Sequence, residues 1–193
     1  MAARAQYVPG PASGAQVERD GERWTLILVR EMRHPPEVVW EAMTDPAQLA
    51  EWAPFDADRN LSTPGPVKMS MARTPRPTVF ETAVKRAEAP RLLEYSWGGQ
   101  ELRWELEPIE GGTRIRLWHS IDRRFVAWGA AGWHISFDVL ERLLAGDPTG
   151  RIAGGDAMEY GWQRLVGEYS ELFGVKSAKM QSQPVRKDDG GPQ

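Results

Sequence analysis

The stretch WGAAGWHISFDVLERLLAG, residues 128–146, decides the architecture. Read at about 100° per residue from Gly129 to Ala145, it places Trp133, Phe137, Leu140 and Leu144 on one stripe. Ile135, Val139 and Leu143 widen that stripe to about half of the helix surface, and His134, Asp138, Glu141 and Arg142 take the other side. An apolar arc this wide exceeds that of an ordinary surface helix, so the helix is expected to pack on two sides. Gly146-Asp147-Pro148 ends it, because glycine accepts the left-handed cap and proline cannot continue a helix. A loop over residues 149–155 leads to a second helix. Asp156 and Glu159 stand at capping-box spacing, and Met158, Trp162, Leu165, Val166, Tyr169, Leu172 and Phe173 share one face before a stop at Gly174.

Helices this apolar need a surface to cover, and the preceding chain supplies strands. Asp20-Gly21 marks a hairpin, and the strand after it, residues 24–32, is apolar on both faces at Leu26-Ile27-Leu28-Val29, which suits a central position. His34-Pro35-Pro36 starts a short helix with Val39, Trp40 and Met43 on its apolar side, and Asp45-Pro46 starts another that runs through Leu49 to Trp52. A meander follows. Strands are expected at residues 67–71, 79–86, 91–97, 101–107 and 114–121, with residues 73–77 as a loop and Gly98-Gly99 and Gly111-Gly112 as turns. Leu93, Tyr95 and Trp97 share a face; so do Leu102, Trp104 and Leu106, and so do Ile115, Leu117, His119 and Ile121. Trp118 falls on the opposite face from His119, and Glu101, Glu105 and Glu107 with Arg103 read as a solvated strand face. Strands first and long helices last predict an α+β fold with the helices on one face of an antiparallel sheet.

Composition narrows the class. The chain has 193 residues, a net charge of −3 and no cysteine, which removes disulfides, thiol catalysis and thiolate metal sites. No basic stretch points to nucleic acid, no apolar run reaches membrane-spanning length, and the first twenty residues hold no signal-peptide core. The expectation is a soluble cytoplasmic protein with a flexible segment at 1–15, one domain at 16–174 and a disordered tail at 175–193, oligomeric state open.

Together these residues resemble the START-like (SRPBCC) superfamily, and more closely its branch related to the C-terminal domain of the activator of heat-shock protein 90 ATPase homologue. The resemblance rests on the strand ending at Arg33, then Pro35-Pro36, Val39-Trp40, Thr44-Asp45-Pro46 and Trp52. Leu92–Trp97, Trp104-Glu105-Leu106, Gly111-Gly112-Thr113-Arg114-Ile115 and Ala130-Ala131-Gly132-Trp133-His134 extend it, so that it covers about residues 22–173. It implies a helix-grip fold, in which a curved antiparallel sheet wraps a C-terminal helix around an apolar cavity. Here the last helix is expected to be split in two by residues 146–155.

The fold alone does not fix a function. The shared phase of their strands and helices places Tyr95, Trp97, Leu102, Trp104, Leu117, His119, Trp133, Phe137 and Trp162 around such a cavity, which would hold a small apolar or aromatic ligand. The resemblance offers a second reading, a co-chaperone-like or regulatory module that binds a chaperone or another protein. A third is a cyclase or hydratase that uses His119 as acid or base, although no second catalytic group, nucleophile motif or phosphate loop accompanies it. The plainer reading of His119 is a core histidine satisfied by a hydrogen bond, and that of the aromatic residues is packing. His134 and Asp138 stand at i and i+4 with Glu141 nearby, a spacing shared by a metal site and a solvated helix face; no metal or cofactor is expected.

Overall fold

The computed structural model describes residues 7–72 and 78–176. The strands are β1 (Ala15–Asp20), β2 (Arg23–Met32), β3 (Phe55–Ala57), β4 (Gly65–Met71), β5 (Val79–Glu88), β6 (Leu92–Trp97), β7 (Gln100–Ile109) and β8 (Gly112–Ser120). They form one antiparallel sheet among the described residues, in the order β1-β2-β8-β7-β6-β5-β4-β3. Helices α1 (Pro36–Thr44) and α2 (Pro46–Trp52) link β2 to β3, and α3 (Val126–Leu144) and α4 (Trp162–Phe173) follow the last strand. A curled antiparallel sheet closing on C-terminal helices is the α+β helix-grip fold that the pattern predicts.

The sheet's inner face follows the alternation of its sequence. On β8, Thr113, Ile115, Leu117 and His119 are buried and the residues between them are not. On β7, Leu102, Trp104 and Leu106 are buried, while Arg103 pairs with Glu94 and Glu105, and Arg114 with Glu31 and Glu107 on the outer face. Trp118 belongs to that outer face, flanked by the guanidinium groups of Arg103 and Arg116. The register between β5 and β6 shifts between Val84 and Arg86, and a bulge of this kind bends the sheet.

Several boundaries differ from the sequence reading for local reasons. Helix α3 begins at Val126, three residues ahead of Gly129, after a 3-10 turn at Arg123–Phe125 capped by Asp122. Residues 154–160 form a 3-10 segment rather than the first turns of an α-helix, because Gly161 adopts φ +80° and α4 starts only after it. On α4, Leu165, Tyr169 and Phe173 are buried, but Leu172 is 55% exposed and leaves the face assigned to it. Strand β3 is three residues long, too short to show a period, yet its Phe55 is buried in the core. The expected loop at 73–77 and the tail beyond Lys176 lie outside the described residues.

The other surprise is the side of α3 that carries His134 and Asp138. It is covered, not solvated: His134 is 3% exposed. Residues 7–14 lie over it together with α4. Tyr7 is buried and donates to Asp138 Oδ2 at 2.7 Å, Ala12 N donates to Glu168 at 2.7 Å, and Arg30 donates to Ser13 O at 3.0 Å and to His134 Nδ1 at 3.1 Å. The Tyr169 hydroxyl sits 2.8 Å from His134 Nδ1 and 3.0 Å from Ser13 O. The Arg30 guanidinium can only donate, so Nδ1 accepts and the His134 ring is neutral. Burial, followed by the Arg30 and Arg164 cations, lowers its pKa to about 4.

Gly112 shows why the β7–β8 turn needs two glycines. Gly111 takes φ +79°, the conformation of the turn itself. Gly112 has no such angle, but a Cβ there would lie 2.0 Å from Met32 O and 3.1 Å from Arg33 Cα, both backbone atoms of the neighbouring strand and its exit. Gly112→Ala must therefore separate β8 from the end of β2. We expect it to lower the unfolding free energy measured by urea titration by about 1–3 kcal/mol, the range of overpacking.

Candidate functional site

Helix α3 meets the concave sheet through an aromatic cluster. Trp104 of β7 is its centre, with ring centroids 5.2 Å from Trp133, 5.8 Å from Phe137 and 6.4 Å from Trp52, all edge-on. Edge-to-face contacts of this kind add to the area they bury. The Trp104 indole donates to the Tyr95 hydroxyl at 3.1 Å, and Trp52 Nε1 donates to Ala42 O at 2.8 Å, so these buried polar atoms are satisfied.

Toward the start of α3 the packing stops and a pocket of about 450 Å³ opens. Phe125, Trp128, Gly129, Gly132, Trp133 and Ser136 line it from the helical side, at spacings that keep one helix face together. Trp97, Gln100, His119 and Ile121 line it from the sheet, and Pro54 and Met71 from the edge. Ile152, Ala153, Gly154, Ala157 and Trp162 close it from the segment between α3 and α4. Trp128 stands edge-on to both Phe125, at 5.6 Å, and Trp162, at 5.3 Å. The break in the C-terminal helix thus forms a wall of the pocket. Arg151 holds that wall: its guanidinium is 7% exposed and donates to Leu49 O at 3.0 Å, Phe55 O at 3.3 Å and Asp56 Oδ1 at 2.6 Å. The loop is thereby tied to α2 and β3.

His119 is the polar centre of the sheet wall. Trp133 Nε1 donates to His119 Nδ1 at 3.0 Å, which fixes the ring proton on Nε2, and Nε2 then donates to Gln100 Oε1 at 2.5 Å. Burial disfavours the charged ring and lowers its pKa to about 4. Both nitrogens are engaged, so the ring is neutral and its orientation is set from two sides.

Of the nine residues placed around a cavity by their phase, Trp97, His119, Trp133 and Trp162 line this pocket. Tyr95, Leu102, Trp104, Leu117 and Phe137 are brought to the same interface but fill its solid part, each 2% exposed or less. The sequence reading missed the small residues Gly129, Gly132 and Ser136, and also Gln100, Trp128, Ile152 and Arg151. The small residues did carry a signal: they recur at three- and four-residue spacing on one face of an otherwise bulky helix. His119 and His134 face different neighbours. Among the described residues no group of three or more histidine or carboxylate side chains is placed to hold a metal ion.

A curved sheet gripping a helix over an aromatic pocket defines a START-like protein. The chain belongs to the family described as Activator of Hsp90 ATPase homolog 1-like protein, whose model matches residues 33–145, more than half of its length. Solved structures share the fold. CalU16 from Micromonospora echinospora is 21% identical, with a TM-score of 0.59, covering 85% of this chain and 97% of its own. A protein of Bordetella parapertussis is 21% identical, with a TM-score of 0.60 over 89% and 96% of the two chains. An AHSA1-like protein from Aeromonas hydrophila is 21% identical, with a TM-score of 0.54 over 63% and 92%. At these identities the likeness is one of fold. No curated protein matches the chain significantly.

The neutral state of His119 has a measurable consequence. Its folded pKa of about 4 lies below the ordinary value of 6.5, so the unfolded chain takes up this proton first. The associated stability is intact above pH 6.5 and falls as the pH drops toward 4. Urea titrations between pH 7.5 and 4 should therefore show a shallower loss of stability in His119→Gln than in the wild type; parallel curves would contradict it.

Proposed function

We propose that this protein binds a small hydrophobic or aromatic ligand in the pocket between the β7–β8 side of the sheet and α3. The observation that carries the reading is Gly132. A glycine inside a helix costs about 1 kcal/mol relative to alanine. Nothing lies within 4 Å of the position a Cβ would occupy there, so packing does not demand a glycine. What it contributes is space on the helical side of a pocket ringed by Trp97, Trp128, Trp133 and Trp162. Pockets of a few hundred Å³ with aromatic walls and few polar groups suit small organic ligands. The expected setting is the cytoplasm; among the described residues no helix is long and apolar enough to cross a membrane.

A second reading, a co-chaperone-like or regulatory module, is supported by the family description. It calls for an apolar docking surface. The large apolar side chains exposed among the described residues, Val8, Val38, Val79, Phe125 and Leu172, come from five separate segments. Recovery of heat-shock protein 90 on the immobilised full chain, with a changed ATPase rate, would favour this reading; no recovery and an unchanged rate would remove it. The cyclase or hydratase reading has less support, because His119 spends both ring nitrogens on Trp133 and Gln100.

Gly132→Leu tests the ligand reading. Leucine is a good helix former and would project into the pocket, so the variant should fold at least as stably as the wild type. Titration with N-phenyl-1-naphthylamine, an uncharged probe that brightens in apolar surroundings, should give saturable binding to the wild type and at least a tenfold loss in Gly132→Leu, or about 1.4 kcal/mol. Equal binding to both proteins would overturn the reading.

A further inference from the structure

The pocket's chemistry narrows what it can accept. Among the described residues that line it there is no Asp, Glu, Lys or Arg. His119, its one titratable side chain that could meet a charge near neutrality, is held neutral by its two hydrogen bonds and by burial. A ligand entering with a formal charge would lose its hydration and find no counter-charge.

The polar side-chain groups that remain open can each donate. Ser136 is 2% exposed, lines the pocket and makes no hydrogen bond within the described residues. This is unusual for a buried serine in a helix. Elsewhere in this protein Ser170 Oγ donates to Val166 O at 2.6 Å and Thr44 Oγ1 to Trp40 O at 2.9 Å, the usual bond to the preceding turn. Gln100 adds a second group. Its Oε1 is taken by His119 Nε2–H, which leaves its amide NH2 without a partner among the described residues at the same pocket. The bond chain Trp133 to His119 to Gln100 sets the direction of that amide: only with the oxygen toward His119 does the Nε2 hydrogen meet an acceptor. With the indole N–H of Trp97, also unpartnered, these make three donors among aromatic rings, with no carboxylate and no cation, and they suit an oxygen acceptor on a neutral molecule.

We propose that the pocket selects an uncharged, ring-bearing ligand with carbonyl or ether oxygens, read by the Ser136 hydroxyl and the Gln100 amide NH2. This rests on the ligand-binding reading above and specifies its chemical class. Ser136 and Gln100 are then specificity determinants, while the tryptophans supply the non-directional part of the affinity.

The test is isothermal titration calorimetry on the full chain at pH 7 with three probes of similar shape. They are 2-acetylnaphthalene, 2-isopropenylnaphthalene (a CH2 group in place of the carbonyl oxygen) and 2-naphthoate. The second protein is Ser136→Ala, which keeps a good helix former at the position. Loss of one neutral hydrogen bond should weaken the ketone about fivefold in the variant, while the hydrocarbon changes by less than about twofold. The naphthoate should bind the wild type at least about tenfold more weakly than the ketone. An unchanged ketone-to-hydrocarbon ratio in Ser136→Ala, or naphthoate binding as tightly as the ketone, would overturn the proposal while leaving the pocket as a ligand site. Failure of both neutral probes to bind would remove the ligand-binding reading together with it.

Discussion

The hydrogen bond from the indole of Trp133 to Nδ1 of His119 joins the long helix to the inner face of the sheet beside the pocket. It explains how a histidine and a tryptophan can both sit at a buried interface without an unmet polar atom between them. It also fixes the tautomer, which directs Nε2–H to Gln100 and so sets the polarity of the neighbouring amide. On one side of this link the interface is solid: Trp104, Phe137, Trp52 and Tyr95 fill it with interlocking rings and bonds. On the other side it is open. The same helix face changes from Phe137 and Leu140 to Ser136 and Gly132, and the gap stays open beside Gly132, while Gly129 packs closely on Ile121.

The open side depends on a second constraint, the seating of the segment between α3 and α4. A chain that leaves one helix and returns as another would be free to hang away from the core. Here Arg151 draws it in by bonding two backbone carbonyls and the Asp56 carboxylate at the α2–β3 corner. Ile152 and Ala153, the next two residues, then become a pocket wall. On the far side of α3, Tyr7, Arg30, His134, Asp138 and Tyr169 bind residues 7–14 and α4 to the helix. The helix is therefore held from both sides, and its pocket-facing residues need not contribute to its attachment.

Much of the fold was legible because period-2 burial is repeated along β7 and β8, where every second residue points inward without exception from Thr113 to His119. The Pro, Val-Trp and Asp-Pro signals located α1 and α2 for equally local reasons. The pocket was less legible. Phase places Trp97, Trp104 and His119 on one surface, but it cannot say whether the rings touch or leave room, and Trp104 proves to fill space whereas Trp97 borders it. That difference arises from the residues opposite, Phe137 against Trp104 and the small Gly132 and Ser136 beside the pocket. His134 and Asp138 look like a solvated pair from the helix's own sequence, since the segment that covers them comes from more than a hundred residues away. Arg151 carries no periodic signal at all, because its partners are two backbone carbonyls and a carboxylate contributed by the distant α2–β3 corner.

The most direct measurement of this arrangement is a long-range proton–nitrogen NMR correlation of the His119 imidazole, assigned by comparison with His119→Gln, across pH 8 to 4.5. A neutral ring with its proton held on Nε2, and nitrogen shifts that stay constant until the pH approaches the lower end, is the expected result. Nitrogen shifts averaged between the two tautomers, moving through a midpoint near 6.5, would mean that Trp133 does not hold the ring. The helix would then not be tied to the sheet at this point, and neither the amide orientation nor the neutral pocket would follow.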